Sequence, residues 1–154
     1  MSLESVRQFF AEHAPEIEII ELAGSTATVA MAARAHGVTP GEIAKTLSLK
    51  VKNDVVLIVT RGDARLDNRK LKAALGAKAR MLSVDEVINW TGHPVGGVCP
   101  FGLENPLTVY CDVSLRSFNE VLPAAGAIHS AVRISPQQMA ELTNARWIDV
   151  CEAI

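Results

Sequence analysis

Hydrophobic residues near the N-terminus recur at the spacing of an amphipathic helix. Leu3, Val6, Phe9 and Phe10 fall on one face of a helix with about 3.6 residues per turn. Pro15 follows this run and cannot continue a helix, because it lacks a backbone N–H donor. The pattern therefore predicts a first helix over residues 3–13.

The next patterns predict a strand and two short helices. Residues 17–22 are rich in isoleucine and partly alternate, which favours a strand. A short alanine-rich helix follows, with Ser25 or Thr26 as its N-cap and Gly37 at its end. Residues 39–42 combine a capping threonine, a proline at the first helical position and a glutamate three residues after the cap, so they predict another helix start.

Two alternating apolar runs predict a β-hairpin. Residues 46–51 and 55–60 both have the pattern of strands, and Asn53 and Asp54 between them favour a turn. Lys45 lies where the short helix gives way to the first of these strands. Side chains at such junctions commonly project into a cleft, so Lys45 is a candidate functional residue.

The second half of the chain alternates between capped helices, strands and one irregular loop. Residues 93–102 hold three glycines and two prolines, a density that stops regular structure. We predict helices over 67–76, 83–92 and 114–121, a further helix beginning at 135, and strands over 107–111, 131–134 and 147–150.

The order of these elements defines the expected fold class. Strands and helices are mixed, without a regular strand–helix alternation, so a doubly wound fold is disfavoured. We predict an α+β fold in which short helices surround a mixed, mostly antiparallel sheet. A length of 154 residues is typical of one domain, so we expect residues 1–154 to form a single domain.

Composition and cysteine usage indicate a globular protein of the cytoplasm. Apolar residues make up 49% of the chain and charged residues 21%, the balance of an ordinary folded domain. Cys99, Cys111 and Cys151 are an odd number without C-x-x-C spacing, which argues against a disulfide framework and a zinc knuckle. No apolar stretch has the length of a signal core or a membrane span, so we expect no membrane partner.

The charge of the chain is unevenly distributed. The net charge of −2 argues against a general nucleic-acid binder, and we expect no DNA partner. Residues 61–80 nevertheless carry seven basic residues and two acidic ones, a local excess of five positive charges. This block could contact a phosphate backbone, or it could form a solvated helix face.

Stock catalytic motifs are absent from the sequence. It contains neither the phosphate loop nor the dinucleotide fingerprint, and neither the G-x-S-x-G elbow nor the H-E-x-x-H zinc motif. His13, His36, His93 and His129 show no ligand spacing, so we expect no metal site, and we expect no cofactor.

Four candidates for chemistry remain, each with a plainer alternative. Lys45 could hold a partly desolvated ammonium group, or it could be a surface lysine favoured by a helix C-terminus. The loop over residues 96–102 could present backbone N–H groups to a carbonyl or a phosphate, or it could be a simple turn. His129 could transfer a proton or only pack, and Asp112 could orient a substrate amine or only cap the next helix.

Several short segments together match one known family in order and spacing. They are Thr26-Ala27-Thr28, Met31-Ala32-Ala33, the Ile43-Ala44-Lys45-Thr46-Leu47 core of residues 40–47, Gly62-Asp63, residues 96–102, the strand ending at Asp112, Ser114-Leu115, Gly126 and residues 132–136. Each block is weak alone, but jointly they resemble the YbaK/prolyl-tRNA-editing family over nearly the whole chain.

The resemblance implies a freestanding counterpart of the editing insertion of bacterial prolyl-tRNA synthetase. Such a domain is needed because a synthetase active site cannot strongly reject small near-isosteres. We expect a metal-independent, trans-acting aminoacyl-tRNA deacylase that removes alanine, or serine, threonine or cysteine, with tRNA-Pro as the carrier. The expected partners are the acceptor end of aminoacyl-tRNA and prolyl-tRNA synthetase. In this family either water or the substrate's own thiol attacks the ester, without an enzyme nucleophile.

The resemblance also assigns residues. Lys45 is the expected catalytic residue. The expected substrate-binding residues are Thr26, Thr28, Gly96, Gly97, Pro100, Phe101, Gly102, Asp112, Gly126 and His129, and the expected tRNA-binding residues are Arg61, Arg65, Arg69, Lys70 and Lys72. Two other hypotheses stay open: a noncatalytic module that binds tRNA or a synthetase, and hydrolysis of another small ester or amide.

Overall fold

The computed structural model describes residues 2–154 and arranges them as an α+β fold. The helices are α1 (Ser2–His13), α2 (Val29–His36), α3 (Asn68–Leu75), α4 (Val84–Thr91) and α5 (Pro136–Thr143). The strands are β1 (Ile19–Glu21), β2 (Ile43–Val51), β3 (Asp54–Arg61), β4 (Ala79–Met81), β5 (Thr108–Asp112), β6 (Leu122–Pro123), β7 (Ser130–Val132) and β8 (Arg146–Ile148).

The main sheet is mixed, as predicted. Its strand order is β4-β2-β3-β5-β8, and β6 pairs with the start of β2. The β2–β3 and β2–β4 pairs are antiparallel, whereas β3–β5, β5–β8 and β2–β6 are parallel. A separate antiparallel pair joins β1 to β7. The α+β class expected from the sequence is therefore confirmed.

The predicted hairpin forms the centre of the sheet. Val51 pairs with Asp54, so the turn consists of Lys52 and Asn53, one residue earlier than the pattern indicated. Lys52 has a φ of 56°, in the left-handed region that a tight hairpin turn requires. Both strands extend further than predicted, because pairing continues as far as Ala44 and Arg61.

Alternation along β2 and β3 sends their side chains to two hydrophobic clusters. On one face Leu57 and Val59 join Phe10 and Phe101 under helix α1. On the other face Leu49, Val56 and Ile58 join Leu71 of α3 and Val150. Burying each of these large side chains contributes about 1.5–3 kcal/mol relative to leaving it exposed, so both faces stabilise the hairpin.

Several helix predictions differ from the structure. Helix α2 is capped by Thr28, whose Oγ1 accepts from the N–H of Met31, rather than by Ser25 or Thr26. Residues 39–42 have the expected capping box but form only a 3₁₀ turn before β2 begins. The predicted helix over 114–121 is a 3₁₀ turn at Val113–Ser117 followed by β6. Strands β4 and β6 were not predicted, because two or three residues show no periodicity.

Within residues 2–154 the structure contains no helix that is both long and apolar enough to span a membrane.

Candidate functional site

A notch in the main sheet creates a cleft. One side of β2 is paired with β3 along its length. On the other side, residues 43–44 pair with β6 and residues 49–51 pair with β4. Within residues 2–154 no strand pairs with this side over residues 45–48. A cleft of about 360 Å³ opens at this gap.

The backbone of Thr46 faces the gap. In the antiparallel β2–β3 ladder, hydrogen-bonded and non-hydrogen-bonded pairs alternate, and Val51 with Asp54 closes the tight turn as a hydrogen-bonded pair. Thr46, opposite Val59, is therefore at a non-hydrogen-bonded position, and its N–H and C=O point away from β3. The carbonyl of Ser48 has the same direction and accepts from the N–H of Leu82 at 3.1 Å. At Thr46 the gap thus presents one main-chain donor and one main-chain acceptor.

The cleft wall is mostly apolar. The apolar lining comes from α2, β2, the end of β4, α4, the loop before Cys99, and strands β6 and β7 with their connection. The apolar lining residues are Ala27, Val29, Ala32, Ile43, Ala44, Leu47, Met81, Leu82, Val84, Val87, Val95, Val98, Leu122, Ala124 and Ala131. The polar side chains on the wall are Thr26, Thr28, His36, Lys45, Thr46, Ser48 and Ser130. Binding sites for small molecules commonly combine an apolar wall with a few polar groups in this way.

Lys45 and Gly96 line the same cleft. The Nζ of Lys45 donates to the carbonyl oxygen of Ala64 at 2.5 Å. Burial lowers the pKa of Lys45, while the nearby Cys151 and Asp63 partly oppose that shift. An ammonium group has three N–H donors, so this contact holds the side chain in place and leaves donors for a ligand.

Two further predicted residues lie at the cleft with their hydroxyls already engaged. The Oγ1 of Thr26 donates to the carbonyl of Ile128 at 3.0 Å, and the Oγ1 of Thr28 caps α2. Gly96 has a φ of 92°, and a Cβ built there would lie 2.8 Å from the Cβ of Ala27. The glycine therefore allows the loop to approach the segment that precedes α2.

The rest of the predicted glycine loop lies outside the cleft wall. Pro100 and Phe101 are buried, and Phe101 packs against Phe10 with ring centroids 4.7 Å apart. A Cβ built at Gly97 would lie 2.8 Å from the backbone N of Ala127. These residues shape the loop from behind and support the position of Gly96.

Three more predicted site residues also lie away from the cleft wall. Gly102 and Gly126 pack against the backbone of the first turns of α1, where a Cβ would lie 2.6 and 2.7 Å from carbonyl oxygens of that helix. His129 faces Glu21, with Nε2 3.5 Å from Oε1. Each of them contacts α1 or β1 rather than the open edge of β2.

Asp112 has the structural role that its sequence position allowed. It is 1% exposed, and its carboxylate accepts from the backbone N–H of Ser114 at 2.9 Å and of Val150 at 2.8 Å. The carboxylate thus caps the 3₁₀ turn after β5 and ties it to the chain beyond β8. It does not line the cleft.

The five predicted tRNA-binding residues divide into two groups. Arg61 pairs with Asp63 at 2.6 Å and lies over the ring of Phe118. Lys70 pairs with Asp149 at 3.2 Å. Within residues 2–154, Arg65, Arg69 and Lys72 form no ion pair, and all three are exposed on or next to α3.

A second group of cations lies beside the cleft, and only two of them, Lys78 and Arg80, belong to the basic block of residues 61–80. Lys50, Lys52, Lys78 and Arg80 line a depression of about 350 Å³ along β2 and β4. Met81 follows Arg80 directly and belongs to the cleft wall. Of these four cations, only Arg80 has an ion-pair partner among the described residues, and that partner is Glu86. A positive surface therefore borders the cleft.

Two polar atoms at the cleft were also missed. Within residues 2–154, His36 Nε2 and Thr46 Oγ1 are the buried side-chain nitrogen and oxygen atoms without a hydrogen-bond partner. An unsatisfied buried polar atom costs about 1–3 kcal/mol. The sequence offered no signal for either residue, because only the fold brings the end of α2 next to β2.

The cysteines do not supply a nucleophile to this cleft. Burial raises the pKa of Cys99, Cys111 and Cys151 to about 12 in each case. At neutral pH these groups are thiols, and the thiolate is the reactive form. None of the three lines the cleft in the described structure.

The fold and the cleft define a small α+β protein with a binding notch in a mixed sheet, and sequence comparison gives its class. A sequence profile described as the aminoacyl-tRNA editing domain matches residues 23–142. The chain belongs to the aminoacyl-tRNA editing domain family. This confirms the family that the sequence blocks indicated.

Particular relatives place the chain within this family. The uncharacterized protein YwhH of Bacillus subtilis (strain 168) is 47% identical over 154 residues, which are 99% of this chain and 98% of the relative. A proline--tRNA ligase of Nitratidesulfovibrio vulgaris (strain Hildenborough) is 33% identical over 123 residues, covering 68% of this chain but only 21% of the ligase.

A solved structure shares the whole fold. A proposed trans-editing enzyme for prolyl tRNA synthetase superimposes with a TM-score of 0.92 at 31% identity, and the match covers 99% of this chain and 98% of that one. The same single-domain architecture therefore occurs in a freestanding chain of almost equal length.

Proposed function

We propose that this protein is a trans-acting aminoacyl-tRNA deacylase that hydrolyses a small amino acid from mischarged tRNA, with tRNA-Pro as the carrier. The observation that supports this most is the cleft at the gap in β2, where main-chain groups of Thr46 and the ammonium group of Lys45 lie in an otherwise apolar wall. Membership of the editing-domain family supplies the substrate class.

The proposed reaction is ester hydrolysis by positioning. A water molecule adds to the ester carbonyl carbon, the bond from that carbon to the ribose oxygen breaks, and the ribose oxygen takes up a proton from the attacking water. The negative charge that develops on the carbonyl oxygen needs a preorganised donor. The outward N–H of Thr46 has the direction for that role.

Lys45 supplies the positive charge in this proposal. Its Nζ is held by the carbonyl of Ala64, so the ammonium group is fixed before the substrate arrives. We assign it the 3′-terminal phosphate or the ester as its contact, since charge-assisted hydrogen bonds are stronger in a partly dry cleft. The vicinal ribose hydroxyl of the tRNA assists the leaving oxygen, and no cofactor takes part.

Two positive surfaces are available for the tRNA backbone. The strand cluster, defined as Lys50, Lys52, Lys78 and Arg80, adjoins the cleft. The helix group, defined as Arg65, Arg69 and Lys72, lies on and next to α3. We propose that phosphates near the acceptor end contact the strand cluster and that the helix group contacts phosphates further along the stem.

The experiment is a deacylation panel with purified protein. tRNA-Pro charged separately with alanine, serine, threonine, cysteine and proline is the substrate, and Lys45→Ala protein is the matched control. We expect rapid loss of at least one small amino acid, slow loss of proline, and a strong reduction in the Lys45→Ala control. A flat panel with tRNA binding intact would favour the noncatalytic binding module, while activity on simple esters alone would favour a general hydrolase.

A further inference from the structure

Two polar atoms in an apolar cleft lack an internal partner. Within the described residues these atoms are Nε2 of His36 and Oγ1 of Thr46, and both residues line the cleft. The hydroxyls of Thr26 and Thr28 are engaged by comparison: Thr26 donates to Ile128, and Thr28 accepts from Met31. The cleft thus holds both engaged hydroxyls and the buried, unpartnered hydroxyl of Thr46.

A buried polar atom without a partner destabilises the fold unless a ligand completes its hydrogen bonds. The two atoms come from different elements, the last turn of α2 and the open segment of β2. Neighbouring wall positions are filled by Ile43, Leu47 and Leu122, which offer no side-chain hydrogen bonds. His36 Nε2 and Thr46 Oγ1 are therefore polar atoms without a partner among mainly apolar wall residues.

We propose that the cleft selects an amino acid whose side chain carries a hydroxyl group, and that Thr46 and His36 recognise that hydroxyl. This inference rests on the proposed deacylase function and names its substrate class as seryl- or threonyl-tRNA. Thr46 and His36 are specificity-determining residues in this scheme, distinct from the catalytic Lys45.

The chemistry of the pair fits a hydroxyl. A hydroxyl group donates one hydrogen bond and accepts others, so it can pair both with an imidazole nitrogen and with a threonine hydroxyl. Burial and the nearby Arg133 lower the pKa of His36, which keeps its ring neutral at pH 7 and lets one ring nitrogen accept. A methyl group of the same size satisfies neither residue and leaves both atoms desolvated.

Side-chain rotation completes the contact. Neither atom is reached by solvent in this state, so binding requires small rearrangements. A rotation of about 120° around the Cα–Cβ bond of Thr46 moves its hydroxyl into another staggered position, and in this scheme that rotation turns the hydroxyl toward the ligand.

The test compares pairs of isosteric substrates. Serine is compared with 2-aminobutyrate and threonine with valine, each as its tRNA-Pro ester, and kcat/KM is measured for every ester. We expect the wild-type protein to prefer the hydroxyl member of at least the serine pair by roughly 10- to 100-fold, because buried polar groups reject an analogue that lacks the hydroxyl.

Variants connect the preference to the two side chains. Thr46→Val and His36→Leu should each reduce the serine preference to within about threefold of unity, chiefly by slowing the seryl ester. Thr143→Val, whose hydroxyl donates to the carbonyl of Met139 on α5, should retain the wild-type ratio.

Three outcomes separate this inference from the proposed function. Equal activity on serine and 2-aminobutyrate would leave the deacylase in place and overturn the inference. A preference that survives in both Thr46→Val and His36→Leu would also overturn it. If no ester is cleaved, binding of non-hydrolysable 3′-seryl- and 3′-(2-aminobutyryl)-amide adenosines is measured: tighter binding of the seryl compound supports the recognition while rejecting the deacylase, and equal binding rejects both.

Discussion

The two histidines inside this fold, His93 and His36, have opposite hydrogen-bonding environments. His93 is fully buried, its Nε2 donates to the carbonyl of Phe101 at 2.7 Å, and its Nδ1 lies 2.5 Å from Oγ of Ser2. His36 lies at the cleft, and within residues 2–154 its Nε2 has no partner. His93 ties the 93–102 loop to α1. His36 makes no such internal contact through Nε2.

The same contrast separates Asp112 from Thr46. The carboxylate of Asp112 is shared between two backbone N–H groups that hold the end of β5. Thr46 has main-chain groups directed away from β3 at the gap and a buried hydroxyl without a partner in the described structure. A satisfied buried group is explained by the fold alone, and an unsatisfied group at a cleft points to a ligand.

Lys45 combines features of both kinds of residue. One hydrogen bond to the carbonyl of Ala64 fixes its ammonium group, and its other N–H donors remain for a ligand. Lys45→Ala should lower the rate of deacylation by roughly 30- to 1000-fold, equivalent to about 2–4 kcal/mol, because a charge-assisted contact in the cleft is lost. Lys45→Arg should not restore full activity, because a planar guanidinium does not fit the place of a compact ammonium. Single-turnover deacylation measures both.

Folding is the control for Lys45. The Ala variant should melt within a few degrees of the wild-type protein, since the lysine makes a single backbone contact. A folded Lys45→Ala protein that works at the wild-type rate would contradict the assignment of this residue.

His93→Leu should destabilise the protein far more than His36→Leu. The first change removes two buried hydrogen bonds, to the carbonyl of Phe101 and to the hydroxyl of Ser2, at an expected cost of about 3 kcal/mol in the free energy of unfolding. The second removes an atom that is already unsatisfied in the described structure, so its effect should stay within about 1 kcal/mol. Denaturant unfolding measures both, and equal losses would show that the contrast between the histidines has no energetic basis.

Acid should weaken the fold through the same two residues. Burial is the main cause that lowers the pKa of both His93 and His36 from the ordinary value of 6.5. The unfolded chain therefore binds more protons, so the stability contribution is complete above pH 6.5 and is lost as pH falls from there through the folded-state pKa values.

The loss should be at most about 1.4 kcal/mol for each histidine and each pH unit. The loss of stability should be larger for His93, which is more deeply buried than His36. For His36, the positive charge of Arg133 adds to the effect of burial in lowering the pKa. Unfolding at pH 7.5 and 5.5 is compared for the wild type, His36→Leu, His93→Leu, the double variant and the exposed-site control His13→Leu. An unchanged acid loss after replacement of both His36 and His93 would assign the effect to other groups.

The two cation groups should have the smallest effects. Replacing Lys50, Lys52 and Lys78 with alanine should raise KM for aminoacyl-tRNA roughly three- to tenfold and flatten its dependence on salt, with kcat nearly unchanged. Replacing Arg65, Arg69 and Lys72 should act in the same direction but less strongly, because none of these residues lines the cleft or the depression beside it. If KM is unchanged at low and high salt in both triple variants, neither group of cations contributes to tRNA binding.

Local sequence signals were reliable where the physics is local. The caps at Asp67, Ser83 and Ser135 and the αL glycines at Gly76 and Gly92 lie where the pattern placed them, because capping depends on residues within one turn. The hairpin was also predictable, since alternation and turn residues are neighbours in sequence.

The candidate site was predictable only in part. Lys45, Gly96, Thr26 and Thr28 do line one cleft. The blocks that resembled the family also contained Phe101 and Asp112, which the fold buries away from the cleft wall. A block that matches a family does not by itself show whether its residues contact a ligand or support the residues that do.

By itself, the sequence determined the family, the α+β class, most helix ends and the position of Lys45 near the start of a central strand. Only the tertiary structure decided that β4 and β6 pair with β2 at its two ends and leave the middle open. It likewise decided that His36 and Thr46 meet one cleft and that His93 and Asp112 are satisfied inside the fold. The physical reason is range: caps and turns are fixed by neighbours in the chain, whereas strand pairing and hydrogen-bond satisfaction depend on residues that are distant in sequence and come together only after folding.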